Sequence, residues 1–191
     1  PAGIGKSWTL QAIGADAVRQ GKTVIHYTLE LNAEYVGLRY DTIVSGQPTG
    51  NLQYYKEEVL KKINQLKGNL IIKYYPTRSA SVATLTSHIQ QCELQGIKPD
   101  MVLVDYADIM KSTQHFSEKR HSIGHIYEEL RGMAGEFDIP IWTASQANRS
   151  SLEEDVIDAS KVSEDYSKVM TADFIMSMSR KVEDKIANTG R

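Results

Sequence analysis

Cysteine is almost absent from this sequence, and so are long apolar runs. Among the 191 residues the only cysteine is Cys92, which lies in the amphipathic run 84–95. A single cysteine can form neither an internal disulfide nor a four-cysteine metal site, and this indicates a reducing compartment. No apolar run approaches the ~20 residues that cross a bilayer, and the first residues lack the charged and apolar regions of a signal peptide. We therefore expect a cytoplasmic protein without a membrane partner.

An excess of basic residues is also absent. The sequence has 22 Lys and Arg against 24 Asp and Glu, a formal net charge of -2. A protein that coats nucleic acid through a broad basic face needs a positive excess, so the net charge argues against this class, although loops could still make local contacts. The 41% of hydrophobic and 24% of charged residues are typical of a soluble globular protein.

Short β-branched runs alternate with longer segments of helical period along the chain. This alternation favours an α/β fold, with a mainly parallel sheet that has helices on both faces. The predicted strands are 23–29, 69–75, 101–104, 140–144 and 173–178; the predicted helices are 7–19, 33–44, 54–66, 82–95 and 118–137, and 148–163 is a polar loop. No repeat or linker interrupts the pattern, so residues 1–191 are predicted to form one domain.

Particular residues predict where these helices begin, end and pack. Asn32 and Ser81 suit helix N-caps, whereas Gly21 and Gly96 suit the residues that end helices. The first helix is expected to turn four residues inward: Trp8, Ala12, Ile13 and Ala17.

The chain opens inside a phosphate-binding loop. Gly5-Lys6-Ser7 completes the pattern Gly, four residues, Gly-Lys-Ser/Thr, whose first glycine would stand one place before Pro1. In such a loop Lys6 neutralises the β- and γ-phosphates of ATP, and Ser7 ligates Mg²⁺ at the N-terminus of a helix. The expected nucleotide-binding residues are Ala2, Gly3, Ile4, Gly5, Lys6, Ser7 and Trp8. The alternative is a glycine-rich turn that only precedes a helix.

A P-loop needs a second carboxylate to hold the magnesium shell. The buried apolar strand 101–104 ends at Asp105, which is the candidate for that role. Many P-loop ATPases place their catalytic base directly after this aspartate, but here the next residue is Tyr106. The base is therefore expected elsewhere. The alternative for Asp105 is an acid that merely terminates a strand.

Two further polar residues follow predicted strands. Glu30 comes after strand 23–29, and Gln146 after strand 140–144. Carboxyl ends of parallel strands converge on the ligand crevice, so Glu30 is the candidate general base, and Gln146 is a candidate to sense the γ-phosphate or to orient water. Either could instead be an ordinary solvated side chain. Arg149 could contact a phosphate of nucleotide or nucleic acid, or be a surface arginine.

Two other patterns predict no ligand site. His121 and His125 are four residues apart on a helix, but the His-Glu-x-x-His pattern and a third ligand are missing, so zinc is not expected. The pairs Tyr54-Tyr55 and Tyr74-Tyr75 are interpreted as packing residues rather than a base-stacking platform.

Together the motifs resemble the C-terminal motor domain of the DnaB family of hexameric replicative helicases, especially bacteriophage versions. Residues 1–7 look like its Walker A motif and residues 28–39 like its Ser-Leu-Glu-Met segment with a later arginine. Residues 102–106 are similar to the Asp-Tyr form of Walker B, and residues 139–149 to the strand that ends Ser-Gln-x-Asn-Arg. The four matches stand in the family's order, and they imply a RecA-like P-loop NTPase with Glu30 as the general base.

The resemblance also implies partners. The expected ligands are ATP and Mg²⁺, and the expected assembly is a homo-hexameric ring with single-stranded DNA in its channel and a primase or helicase loader as a possible partner. Channel contacts would come from 111–117 and from the stretch after Asn148, with Lys111 and Arg149 as candidates. Residues 153–155 are acidic, which is unfavourable for tracking phosphates. A phage-encoded protein would work in the cytoplasm of its bacterial host.

Both ends of the chain depart from the family pattern. The strand before the P-loop is missing, and the family's arginine finger lies beyond Arg191, since Arg180-Lys181 matches it poorly. We expect a fragment truncated at both ends that hydrolyses ATP weakly by itself. The alternatives are another RecA-like ATPase, such as a recombinase or KaiC-like regulator, or a nucleotide-switched assembly module that unwinds nothing.

Overall fold

A four-stranded parallel sheet is the centre of this computed structural model, which describes residues 5–145 and 167–178. The strands are β1 (Thr23–Thr28), β2 (Asn69–Tyr74), β3 (Met101–Asp105) and β4 (Ile141–Thr143), in the spatial order β2-β1-β3-β4. All three pairings are parallel, so the carboxyl ends of the four strands meet at one edge of the sheet. This confirms the predicted mainly parallel sheet.

Helices connect the strands. They are α1 (Lys6–Arg19), α2 (Ala33–Ser45), α3 (Lys56–Asn64), α4 (Val82–Leu94), α5 (Lys119–Phe137) and α6 (Ser167–Thr171), and 3-10 helices cover Thr49–Tyr55 and Ala107–Ile109. The predicted helix 54–66 is thus wrong at its start, where the 3-10 helix stands. None of the described helices combines the length and apolar character needed to cross a bilayer.

The predicted helix caps are confirmed. The Asn32 side chain accepts a hydrogen bond from the backbone N–H of Tyr35 at 2.9 Å, and Ser81 forms a capping box with Thr84. Gly21 and Gly96 have φ angles of 87° and 79°, the left-handed conformation in which glycine ends a helix without a steric penalty.

The two faces of the sheet pack against different helices. Ile25 and Tyr27 of β1 belong to a buried cluster with residues of α4 and α5, such as Leu85 and Ile126. Val24, which precedes Ile25 in the same strand, packs with residues of α1 on the opposite face. Successive strand residues point to opposite faces, so a strand buried on both sides reads as one apolar run. Helices on both faces are therefore confirmed.

The buried face of α1 differs from the predicted one. Trp8 is 38% exposed and Ala12 is exposed, whereas Ala17 is buried as expected. The face that meets the sheet includes Gly14, where an added Cβ would lie 2.6 Å from Cδ1 of Leu103. The helix therefore approaches β3 through a residue without a side chain, which a hydrophobicity pattern does not reveal.

The predicted strand 173–178 is wrong. Its residues are irregular, and Phe174, Ile175 and Met176 are exposed. A strand needs a neighbour to share its backbone hydrogen bonds, and within the described sheet no strand pairs with the outer edge of β4. The segment is instead held by Arg131 of α5, which donates to the carboxylate of Asp173 at 2.8 Å and to the carbonyl of Thr171.

Candidate nucleotide-binding site

The site lies where the N-terminus of α1 meets the carboxyl ends of β1 and β3. Thr28 of β1 is in register with Asp105 of β3, and the backbone N–H of Leu29 donates to the Asp105 carbonyl at 2.9 Å. This pairing places Glu30, the next residue, beside the end of β3. Gly5 enters α1 with φ 101°, a conformation that other residues rarely adopt, and so directs Lys6 toward the same edge.

Lys6 presents a buried ammonium group to this edge. Within residues 5–145 and 167–178 its Nζ has no hydrogen-bond partner, and it lies 5.8 Å from the ring centroid of Tyr106. Burial lowers the pKa of Lys6 from its usual value, while the carboxylates of Asp108, Glu30 and Asp105 act in the opposite direction. A buried lysine with unused donors can bind an anionic ligand that brings its own oxygen acceptors, and the carboxylates favour the charged form that such binding needs.

Ser7 and Asp105 supply oxygen atoms next to Lys6. Asp105 ends β3 and is only 1% exposed. Burial raises the pKa of Asp105, and the Ser7 hydrogen bond opposes this shift. Oδ2 of Asp105 has no hydrogen-bond partner in the described part of the chain. Mg²⁺ prefers oxygen ligands such as a hydroxyl and a carboxylate oxygen that has no other partner, so Ser7 and Asp105 fit the predicted ion.

Glu30 is the exposed carboxylate of the group. Its negative charge raises the pKa of Asp105 and acts in the same direction on the pKa of Lys6. Because Glu30 is open to solvent while Asp105 is buried, the two carboxylates suit different tasks. The buried one can hold a cation, and the exposed one can accept a proton from water.

Arg39 of α2 lies over two aromatic rings at the edge of the site. Its guanidinium carbon is 5.1 Å from the ring centroid of Trp8 and 5.2 Å from that of Tyr35. The charge of Arg39 also lowers the pKa of Asp105. The Trp8 ring is therefore in cation–π contact with Arg39. The P-loop pattern predicts Trp8 as a nucleotide ligand, and that contact stays a prediction. The pattern at 28–39 included Arg39 without giving it a role.

A buried polar cluster next to the site was missed by sequence reasoning. Asp108 accepts hydrogen bonds from the Tyr127 hydroxyl at 2.8 Å, the Ser145 hydroxyl at 3.1 Å and Nζ of Lys168 at 3.1 Å. Asp108 stands three residues after Asp105, but Lys168 follows 60 residues later. No local pattern links positions so far apart, so only the fold shows this pair.

A cavity of about 530 Å³ lies beside the site. It shares Lys6 with the site, but its other walls are mainly apolar side chains of α1, β4 and the segment 172–178, including Leu10, Ile13, Ile141 and Phe174. A triphosphate needs backbone N–H groups and cations around it rather than aliphatic walls. The predicted nucleotide site is therefore the polar edge at Lys6, Ser7 and Asp105 and not this cavity.

Several predicted residues lie outside the described residues: Ala2, Gly3, Ile4, Gln146, Arg149, the loop 148–163 and Arg180-Lys181. Lys111 is described; it is exposed, and its backbone N–H donates to the carbonyl of Ala80 at 2.8 Å. His125 lies 3.6 Å from the Glu129 carboxylate and 3.3 Å from the Thr113 hydroxyl. The structure thus brings together Gly5, Lys6, Ser7, Glu30 and Asp105, and leaves the phosphate and DNA contacts of the other candidates untested.

Comparisons with known proteins give a consistent result. The family model described as the DnaB-like helicase C terminal domain matches residues 1–189. The DnaB-like replicative helicase of Enterobacteria phage T4 is 29% identical over 187 residues, covering 92% of this chain and 39% of that protein. The replicative DNA helicase DnaB of Helicobacter pylori is 22% identical over 152 residues, covering 77% of this chain and 31% of that protein. The chain therefore spans well under half the length of these relatives.

Solved structures resemble the fold. One that is described as an ATPase domain superposes with a TM-score of 0.80 at 16% identity, covering 98% of this chain and 69% of that one. A DnaB-like replicative helicase, described with its interactions with primase, gives a TM-score of 0.79 at 16% identity and covers 98% of this chain and 48% of that one. At this identity the likeness concerns the fold, and it confirms the RecA-like α/β architecture.

Proposed function

The chain belongs to the family of DnaB-like helicase C-terminal domains, and we propose that it is the ATP-hydrolysing motor of a replicative helicase that translocates on single-stranded DNA and unwinds duplex DNA. One observation carries the proposal: the buried Nζ of Lys6 has no hydrogen-bond partner among the described residues, and Lys6 stands at the sheet edge where Asp105 ends β3. A P-loop lysine, a hydroxyl, a buried aspartate and an exposed carboxylate are together the parts that nucleotide hydrolysis needs.

Each residue has a distinct role in this proposal. Lys6 binds the β- and γ-phosphates through its unused donors, and the backbone of residues 2–8 surrounds them. Ser7 and Asp105 would hold Mg²⁺, which neutralises charge on the phosphates when bound. Glu30 takes a proton from the attacking water, and Gln146 senses the γ-phosphate.

The proposed partners, single-stranded DNA and other subunits of the same protein, are argued from the family and not from contacts among the described residues. We propose that the full-length protein forms a homo-oligomeric ring around single-stranded DNA, with Lys111 and Arg149 as candidate phosphate contacts. The two curated relatives are named as replicative helicases, and one of the solved structures is described with primase. Primase or a loader is accordingly the partner class to test, and the host cytoplasm is the proposed location.

The deciding experiment measures ATP turnover by the full-length protein with and without single-stranded DNA. DNA is expected to stimulate turnover, and Lys6→Ala to abolish it. Lys22→Ala is the matched control, because Lys22 is exposed, pairs with Asp100 at 3.3 Å and lies just before β1, at the opposite edge of the sheet. If DNA has no effect and Lys6→Ala retains turnover, the motor proposal is wrong.

A further inference from the structure

Asp108 and Lys168 form an ion pair that the proposed chemistry does not use. Their nitrogen and oxygen atoms are 3.1 Å apart, and the side chains are only 3% (Lys168) and 13% (Asp108) exposed. Nζ of Lys168 also donates to the Ser145 hydroxyl at 3.2 Å and lies 5.5 Å from the ring centroid of Tyr127. Ionised groups so deeply buried are costly, and they persist where their partners are well arranged.

The pair connects three parts of the fold at the edge of the site. Asp108 lies in the short 3-10 helix that follows β3, Ser145 lies just after β4, and Lys168 lies in α6. The cluster satisfies both oxygens of the Asp108 carboxylate: Oδ1 accepts from Tyr127 and Lys168, and Oδ2 accepts from Ser145.

The charge of Asp108 also affects the pKa of the P-loop lysine, Lys6. Burial lowers the pKa of Lys6, and the charge of Asp108 is among the carboxylate charges that oppose this shift. Lys6 and Lys168 line the same cavity together with Tyr127 and Ser145. Among the described residues only Lys168 forms an ion pair with Asp108, whereas Nζ of Lys6, at the wall of the same cavity, has no hydrogen-bond partner there.

We propose that Lys168 is a positioning residue for the nucleotide site: by pairing with Asp108, it prevents this carboxylate from capturing Lys6 and leaves the P-loop ammonium available for phosphates. Without the Lys168 charge, Asp108 would be a buried carboxylate lacking its cation, and Lys6, which lines the same cavity as Lys168, could then replace it. An ammonium bound to Asp108 would have to break that contact before it could bind ATP. The inference rests on the proposed function, because it concerns the same phosphate-binding lysine.

A merely structural ion pair would behave differently. Loss of either partner would then lower the free energy of unfolding without a specific effect on nucleotide affinity. If Lys168 is a positioning residue, its removal weakens nucleotide binding because the charge on Asp108 is left without its partner. Removing that charge as well should restore affinity, even though the ion pair is still absent.

The test compares Lys168→Met, Asp108→Asn and the double variant in the full-length protein. Binding of the non-hydrolysable analogue AMP-PNP with Mg²⁺ is measured by calorimetry, and stability by urea unfolding. Lys168→Met is expected to weaken binding roughly tenfold, whereas the double variant should bind within about twofold of the wild type. Asp108→Asn alone should not weaken binding, because it leaves Lys6 without this competitor. If Lys168→Met does not fold, Lys168→Gln keeps a hydrogen-bond donor without the charge and should weaken binding in the same direction.

Arg131→Met is the matched control. Arg131 also anchors the segment around α6 through an ion pair, with Asp173 at 2.8 Å, but this pair is exposed and does not involve Asp108. Its loss should leave AMP-PNP affinity unchanged. The inference is overturned if folded Lys168→Met or Lys168→Gln binds like the wild type, or if the double variant binds as weakly as Lys168→Met. Lys6→Ala distinguishes failure of this inference from failure of the proposed function. Retained AMP-PNP binding in that variant would refute the proposed function itself.

Discussion

The hydroxyl of Tyr40 and Nδ1 of His26 share a hydrogen bond of 2.8 Å in a buried layer between the sheet, α1 and α2. The same hydroxyl lies 2.6 Å from the position that a Cβ on Gly14 would occupy. Ser7 and Gly14 are seven residues apart on α1 and so lie on one face, where Ser7 reaches Asp105. Ser7 and the glycine that approaches Tyr40 therefore lie on the same face of α1, the face toward the sheet.

His26 should make folding stability depend on pH. Burial lowers the pKa of His26 from 6.5 to about 4, so in acid the unfolded chain takes up a proton at this residue before the folded chain does. The stability that depends on neutral His26 is therefore fully present above pH 6.5 and is lost as the pH falls toward 4. The expected loss is about 3 kcal/mol in the free energy of unfolding.

Urea unfolding at several pH values would measure this dependence. His26→Gln should remove most of the slope between pH 6.5 and 4, whereas His121→Gln, at an exposed position, should keep it. A slope that stays the same in His26→Gln would show that other groups cause the acid sensitivity; His88, whose pKa is also lowered by burial, is the next candidate.

Gly14→Ala should destabilise the fold. The added methyl group would lie 2.6 Å from both Cδ1 of Leu103 and the Tyr40 hydroxyl, so α1 must move away from the sheet or these side chains must shift. Overpacking of this kind costs about 1–3 kcal/mol. Gly132→Ala on α5 is the control, because nothing lies within 4 Å of its Cβ position; it should stabilise the protein by about 0.5–1 kcal/mol through helix propensity. Equal thermal midpoints for the two variants would contradict the packing argument.

The sheet and the catalytic edge could be predicted from the sequence because both depend on local patterns. Strand runs, caps and the Gly-Lys-Ser motif are each contained in a few neighbouring residues, and parallel topology then brings strand ends together. Glu30 was therefore predicted to lie near Asp105, which is far away in the sequence. The register of Thr28 with Asp105 confirms that the ends of the two strands are neighbours. The catalytic roles of Glu30 and Asp105 stay predictions.

The errors arose where a tertiary contact decides the outcome. Residues 173–178 have the composition of a strand, but a strand forms only beside a partner. The predicted inner face of α1 was wrong for Trp8, which is exposed and has the Arg39 guanidinium of α2 over its ring. The pair of Asp108 and Lys168 was missed because a buried lysine looks the same as a surface lysine in a sequence.

Asp105→Asn should affect stability and binding in opposite directions. The Asp105 carboxylate is buried, and its Oδ2 lacks a hydrogen-bond partner among the residues described, so at neutral pH its charge is unfavourable for folding in the absence of a metal ion. The amide has the same shape without the charge, so the thermal midpoint in EDTA should stay the same or rise. The added stabilisation by Mg²⁺ and AMP-PNP should disappear, because linkage requires binding. A fall in the midpoint in EDTA would mean that Asp105 is mainly a structural residue.

Glu30→Gln should separate binding from catalysis. Glutamine keeps the size of Glu30 and cannot accept a proton from water, so ATP turnover should fall by about 10²–10⁴-fold while AMP-PNP binding stays close to that of the wild type. Glu34→Gln provides the control, since Glu34 is an exposed carboxylate in the first turn of α2, only four residues away. Steady-state turnover and calorimetric binding on the same samples would distinguish the two effects. Turnover near the wild-type rate in Glu30→Gln would assign the base to another residue, and a matching loss of binding would show that the Glu30 charge acts on the nucleotide site through Lys6 rather than on water.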